Sequence, residues 1–445
     1  MSRVELRIKI LCMLDIVIKS ALIPEKGILD IAIKDGRITS ISAHVEEEAR
    51  YVIKANGKIA MPSFANMHTH ISMSLLRGIG ADLTLMDWLQ KVIWVLEGEF
   101  VSPEFVRDGA LLGIAESIMS GTTLLMDMYF FEEAVAEVAL SAGVRVGLGF
   151  GILDFPTKVA STPDEYIKRA EHFIKTFREQ DLVFPVLCPH ATYTCSPPTL
   201  MKVKELAEKE GVLIHTHVAE TKAEVESVKE KYGKPPVKHL DALGFLSEKV
   251  LMAHMVWLDE EEKSIVKERG AKVLHCPESN LKLASGIAPV WEYIKMGIHV
   301  CLGTDGPASN DNLDMLEEMS TMVKLQKGYS LSAKAMDART AIKIATLNGF
   351  TACGIKAGKL EEGYQADLIL IDPDKPHLQP LYDPLVQIVY SAKSSDIDTV
   401  ICKGRVLMEK RELKTVDMDE VRHIARKWKD RITNFIENLG LKPSV

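Results

Sequence analysis

No two of the seven cysteines stand in Cys-x-x-Cys spacing. The odd, dispersed set (Cys12, Cys188, Cys195, Cys276, Cys301, Cys353 and Cys402) favours reduced thiols in a cytoplasmic protein over a disulfide framework. Cys188, Cys276 and Cys301 fall within apolar runs and read as small core residues. No Lys/Arg-rich run occurs, and a formal net charge of −8 argues against a nucleic-acid surface, which needs a basic patch. No run of roughly 18 apolar residues occurs either, so no membrane span is expected. Glu5, Asp15 and Lys19 interrupt the apolar N-terminus, which therefore lacks the h-region of a secretory signal. No Gly-x-Gly-x-x-Gly follows the first barrel-type strand, which disfavours an open, doubly wound nucleotide-binding sheet. No internal repeat or low-complexity tract stands out.

What remains is an ordinary globular composition, 47% hydrophobic and 26% charged, over 445 residues. That length accommodates a barrel and an accessory domain. Residues 13 to 60 alternate in the strand manner. A hairpin is expected from Ile28–Ile33 and Arg37–Ile41 around Asp35-Gly36, with a further turn at Asn56-Gly57. The pattern returns at Ala366–Asp372 and Thr399–Met408, with a turn at Lys403-Gly404. Each end alone would leave an apolar sheet face uncovered, so 1–60 and 358–414 are expected to build one composite β-domain, a small β-sandwich.

Between them short apolar runs alternate with helical patterns. The runs are Ile59–His70, Leu124–Tyr129, Arg145–Ile152, Val183–Ala191, Val212–Glu220, Val250–Trp257, Lys272–Asn280 and His299–Pro307. Eight such units predict an α/β fold, a (β/α)8 TIM barrel over 61–357. The tail, 415–445, reads as a helix. Asp417 and Glu420 resemble a capping box there, and Val421, Ile424, Trp428, Ile432, Phe435 and Leu439 form one apolar stripe.

The chain's chemistry gathers on the ends of those runs. Of thirteen histidines, His299 opens the eighth run and seven lie further along or at the C-terminal ends of expected barrel strands: His68, His70, His190, His215, His217, His254 and His275. In such a barrel the C-terminal strand ends carry the reaction. His68 and His70, at i and i+2, project to one side of a strand. His217 ends the fifth run as a third nitrogen donor, while His215 lies deeper and reads as a hydrogen-bonded core histidine. Asp305, between Gly303 and Gly306, can supply an oxygen. Three imidazoles and a carboxylate suit one divalent metal, best Zn2+, with Fe2+ or Mn2+ as alternatives. One coordination position must stay open for water.

The chain resembles the amidohydrolase superfamily, and within it the 5′-methylthioadenosine/S-adenosylhomocysteine deaminases. The resemblance is carried by Met61-Pro-x-Phe-x-Asn-x-His-Thr-His70, Leu75-Leu-Arg-Gly78, Trp88-Leu with Glu97, and Pro189-His-Ala-Thr-Tyr193. It continues through His217-x-x-Glu220, Ala253-His254, Ser279-Asn-Leu-Lys-Leu283, Gly286-Ile-Ala-Pro289, Leu302-Gly-Thr-Asp-Gly306 and Gly358-Lys-Leu-x-x-Gly363. It implies metal ligation by His68, His70, His217 and Asp305, proton transfer by Glu220, and orientation of the attacking water by His254. It further implies that Glu97 receives ribose hydroxyls and that His190 contacts the substrate, a small purine nucleoside. A homo-oligomer is compatible with it. Members that accept S-adenosylhomocysteine tend to carry an arginine after the third strand. Here Arg145–Lys158 offers phenylalanines and a lysine but no arginine beyond the strand's start, which favours an adenosine with a neutral 5′ group.

Three other readings compete. A binuclear cyclic amidase would need a lysine at the end of the fourth strand, and Val183–Ala191 has none. Guanine or cytosine deaminases and triazine-type hydrolases share the mononuclear site, and Glu97 is the feature that favours a ribosylated substrate over theirs. A non-catalytic metal or ligand binder would be expected to have lost Glu220 or Asp305, and both are present.

Overall fold

In the computed structural model, residues 13–439 are described. Cys12 and the first part of the N-terminal apolar stretch lie outside them. Eight parallel strands follow one another in chain order around a barrel: Phe64–Thr69, Thr122–Tyr129, Arg145–Ile152, Val183–Pro189, Leu213–Val218, Val250–His254, Lys272–His275 and Val300–Leu302. Nearly every residue in them is buried, as expected of strands covered on both faces. Ala65, Met67, Leu124, Met126, Leu251, Ala253, Leu274 and Cys301 belong to one cluster, apart from the larger cluster shared with the surrounding helices. The eighth strand returns to the first where the Asp305 amide donates to the His68 carbonyl at 2.9 Å. A Cβ on Gly303 would lie 2.7 Å from the His68 nitrogen, so this approach requires glycine.

Both chain ends meet in a second, nine-stranded sheet. Its N-terminal strands are Leu14–Ile23, Gly27–Lys34, Arg37–Ser42, Ala49–Lys54 and Ile59–Pro62, and the C-terminal ones are Leu368–Ile371, Ile397–Cys402, Arg405–Glu409 and Glu412–Leu413. Ile59–Pro62 pairs antiparallel with Leu368–Ile371, which joins the two ends. The Asp35-Gly36 and Lys403-Gly404 turns have positive φ at both residues, as two-residue hairpins of this twist require.

Two expectations are corrected. The run Ile59–His70 is not one strand. Through Pro62 it pairs with the outer sheet, and from Phe64 it pairs with the second barrel strand. Ser63 is the switch point: its amide donates to the Asp367 carbonyl, and the next amide, of Phe64, donates to Gly121. The C-terminal helix, Met418–Asn438, is capped by Asp417 accepting from the Asp419 amide, without a reciprocal bond from Glu420. Its buried stripe is Val421, Ile424, Trp428, Ile432 and Ile436, whereas Phe435 is half-buried and Leu439 exposed. The i+4 step from Ile432 reaches Ile436, so the stripe rotates away from Leu439. Trp428 Nε1 donates to Asp108 on the helix Pro103–Met119 at 2.9 Å, docking the tail on the barrel. Among the described residues no helix is long and apolar enough to cross a membrane.

A buried ion pair ties barrel to outer sheet. Arg145, which opens the third barrel strand, donates through Nη2 to Asp367 Oδ2 at 2.9 Å and through Nε to Oδ1 at 3.2 Å. Both side chains are almost fully buried. Replacing Asp367 by alanine strands the guanidinium without a counter-charge, and the expected loss is about 3–5 kcal/mol of unfolding free energy. Urea unfolding followed by circular dichroism measures it; an unchanged midpoint would contradict this role.

Candidate active site

The strand ends converge on one rim. His68 lies near the end of the first strand and His70 just past it, His217 lies near the end of the fifth, His254 ends the sixth, and Asp305 follows the eighth. Ligand atoms of His68, His70 and Asp305 lie within 4.8 Å of one another, and so do those of His68, His217 and His254. Asp305 Oδ1 is 3.2 Å from His70 Nε2 and 3.4 Å from His68 Nε2.

Each ring is fixed through its far nitrogen. Nδ1 of His70 donates to the Met128 carbonyl at 2.5 Å, and Nδ1 of His217 to the His190 carbonyl at 2.8 Å. His254 Nδ1 pairs with Asn280 Oδ1 at 2.9 Å, and His68 Nδ1 with His215 Nε2 at 2.7 Å. His215 is thus a core histidine, as read from sequence, and its partner is the deepest ring of the rim. Holding Nδ1 this way turns Nε2 toward the common centre, the arrangement that orients a metal-ligating imidazole. His68 Nε2 is buried and makes no hydrogen bond among the described residues. A buried donor set of this kind, with one orphaned nitrogen, fits a cation.

The electrostatics divide the rings. Burial lowers His68 to about 4, against the pull of Asp305. Burial also works against charge on His70, but the hydrogen bond and charge of Asp305 prevail and hold it at about 9. Burial depresses His217 far below the usual imidazole range and His190 to about 3. Burial opposes ionisation of Asp305 too, yet His68 and His70 keep its carboxyl well below the ordinary range. Asp305 Oδ2 also accepts from Ser279 Oγ at 2.6 Å.

The backbone at this rim is strained. Ala219, His254, Met255 and Asp305 all have positive φ although none is glycine. Such residues cost free energy and cluster where side chains must be aimed. Glu220 follows Ala219 and points inward: Oε1 accepts from Ser285 Oγ at 3.0 Å, and Oε2 lies 3.7 Å from His254 Nε2. Burial raises its carboxyl. The turn is held by Glu224, which accepts from the Ala219 and Glu220 amides at 3.0 and 2.8 Å.

A cavity of about 330 Å³ opens above the rim. Glu97, on the helix Trp94–Phe100, lines it together with His190, His217, Glu220, His254 and Asp305. Burial raises Glu97 to about 7 against the opposing influence of Tyr129 and His70. Trp88, Trp94, Leu153 and Phe155 supply an apolar wall. Every site residue named from the sequence therefore reaches this rim or its cavity. His275, counted with them, does not: it is buried outside the cavity lining with neither ring nitrogen partnered.

Sequence reasoning passed over the residues that hold the others. Asp127 accepts from Thr69 Oγ1 and from the Ile71 amide, both at 2.7 Å, bracketing His70. As the single charge in the apolar run Leu124–Tyr129 it carried a signal, since a buried carboxylate needs assigned donors. Glu224 and Asn280 gave no comparable sign.

A parallel-strand barrel with a polar constellation at its C-terminal rim is the layout of a (β/α)8 enzyme, here with His and Asp side chains that could hold a metal ion. The amidohydrolase family model matches residues 59–407. A 5-methylthioadenosine/S-adenosylhomocysteine deaminase of Aquifex aeolicus is 68% identical over 426 residues, covering 96% of this chain and 99% of that protein. A 5′-deoxyadenosine deaminase of Methanosarcina mazei is 40% identical, with 93% and 98% covered. A solved adenosine deaminase from Xanthomonas campestris with bound zinc superposes with TM-score 0.92 at 37% identity, over 95% of this chain and 99% of that one. The chain belongs to the amidohydrolase family, in its group of 5-methylthioadenosine/S-adenosylhomocysteine deaminases.

The orphaned His68 nitrogen generates a prediction. Protein purified without chelator should contain roughly one divalent ion per chain, and Asp305→Ala should lose most of it while remaining folded. Elemental analysis beside circular dichroism reads both; a variant that keeps full metal content would remove Asp305 from the set.

Proposed function

We propose that this protein is a metal-dependent hydrolytic deaminase of adenosine-type nucleosides, replacing the purine amino group by oxygen and releasing ammonia. The observation that carries the reading is the meeting, across one cavity, of a metal-competent His/Asp set, the Glu220–His254 pair and Glu97. His68, His70, His217 and Asp305 would hold the ion, and zinc is the best fit to three imidazoles and a carboxylate. When bound, such an ion lowers the pKa of a water toward ~7 and so supplies hydroxide at neutral pH.

The rest falls to the chain. Asp305 and His254 flank the centre and hold the nucleophile's proton and its direction. Glu220 is buried with a raised carboxyl, so it carries a proton readily. That proton is the first one the water gives up, and Glu220 delivers it to the ring nitrogen beside the amino-bearing carbon as the nucleophile adds. It then takes the nucleophile's remaining proton and passes it to the departing amine, so that water and the aminopurine become the oxopurine and ammonia. His190 borders the purine, and Glu97, across the cavity, accepts the ribose hydroxyls.

The cavity also bears on the 5′ group. Among the described residues lining it, Lys158 is the only lysine or arginine, and its ammonium already donates to the Glu99 carbonyl at 2.8 Å. With Trp88, Trp94, Leu153 and Phe155 as the remaining wall, a neutral substituent suits the space better than an amino-acid zwitterion. The favoured substrates are 5′-methylthioadenosine and related 5′-substituted adenosines, ahead of S-adenosylhomocysteine. A cytoplasmic location accords with the free, mostly buried cysteines among the described residues.

Glu220→Gln should lower kcat by at least ~10²-fold through loss of proton transfer, with metal content unchanged. Wild-type activity in that variant would contradict the scheme. In an ammonia-release assay across nucleosides, 5′-methylthioadenosine should exceed S-adenosylhomocysteine in kcat/KM; the reverse order would overturn the 5′ assignment.

A further inference from the structure

One polar atom in the cavity wall has no task in the scheme above. Tyr129 closes the second barrel strand, lines the cavity and is 5% exposed. Its phenolic oxygen is buried and makes no hydrogen bond among the described residues. Buried hydroxyls are ordinarily satisfied, and one left open beside a binding cavity marks a partner that engages when the site fills.

The neighbouring acid is Glu97. Burial first, then the charge of Glu97 and the approach of its carboxylate to the hydroxyl, push the Tyr129 phenol well above its ordinary range. The two residues differ in how firmly they are held. Tyr129 belongs to the barrel itself: its amide donates to the buried Glu132 Oε1 at 2.6 Å, and it pairs in register with Phe150 of the third strand. The preceding carbonyl, of Met128, is the one that fixes His70. Glu97 instead rides on the helix Trp94–Phe100, which follows a π-turn at Leu89–Ile93 and lies outside the strands. A carboxylate that must accept two sugar hydroxyls at once needs its plane set, and the Tyr129 hydroxyl is the hydrogen-bonding group that already bears on Glu97.

We propose that Tyr129 is a positioning residue for sugar recognition: its hydroxyl donates to the Glu97 carboxylate and turns it toward the two ribose hydroxyls of the bound nucleoside. This rests on the reading that Glu97 receives those hydroxyls. The barrel strand that orients His70 would thereby also orient the far end of the substrate, fixing the distance between purine and sugar subsites.

Tyr129→Phe keeps the ring and deletes only the donor. Holoenzyme carrying it should show a KM for 5′-methylthioadenosine raised about tenfold, with kcat within about twofold and metal content unchanged. On 2′,3′-dideoxyadenosine, which lacks the diol, the variant and the parent should have equal KM. A KM unchanged on the intact nucleoside, or raised equally on both substrates, would overturn the proposal and leave Tyr129 a packing residue. A parent enzyme that does not distinguish adenosine from its dideoxy analogue would overturn the assignment of Glu97 itself, and this one with it.

Discussion

A carboxylate buried among imidazoles is the constraint on which the rest of this molecule depends. Asp305 sits within 3.4 Å of Nε2 of both His68 and His70, in a place where neither an isolated negative charge nor an isolated imidazolium would be stable. The arrangement persists because every participating ring is tied at its other nitrogen to a carbonyl, an amide oxygen or a further histidine. Those ties come from the adjacent strand for His70 and His217, from the fifth strand for His68 and from the helix Pro277–Lys282 for His254, so the closed barrel gathers them. The left-handed backbone at Ala219, His254 and Asp305 is the local cost of aiming three strand ends at one point.

A support network lies beneath that constraint. Asp127 fixes the turn after His70, Glu224 the turn before Glu220, and Asn280 the ring of His254. The outer sheet serves the same end from the opposite side. By pairing Ile59–Pro62 with Leu368–Ile371 and by burying Asp367 against Arg145, it anchors the segment that leads directly into the histidine strand. The metal-competent groups and the buried Glu220 carboxylate therefore share one frame of strand ends and the turns that follow them. Glu97 is the exception, carried on a helix outside the strands.

Much of this was legible in the chain. Strands buried on both faces announce themselves as short apolar runs, so histidines at their ends stand out, and the order of runs and helices implied the barrel. Turn chemistry at Asp35-Gly36 and Lys403-Gly404 marked the composite sheet. What escaped notice were features decided by tertiary pairing. Nothing local tells that Ile59–His70 changes partner at Ser63, since both halves are equally apolar and the switch depends on Asp367, some 300 positions away. In the tail helix the i+4 step from Ile432 pointed to Ile436, and only the packed structure shows that Phe435 is half-buried and Leu439 exposed. Second-rank residues such as Glu224 look like any helix-capping carboxylate until the amides they accept from are known.

The central claim is that side chains 68, 70, 217 and 305 share a single ion. Anomalous diffraction from crystals of the holoenzyme, collected on either side of the zinc absorption edge, tests it most directly. One peak is expected, about 2.0–2.2 Å from Nε2 of His68, His70 and His217 and from an Asp305 oxygen. A zinc peak bound by other residues, or metal-replete protein with no anomalous scatterer at that rim, would contradict it.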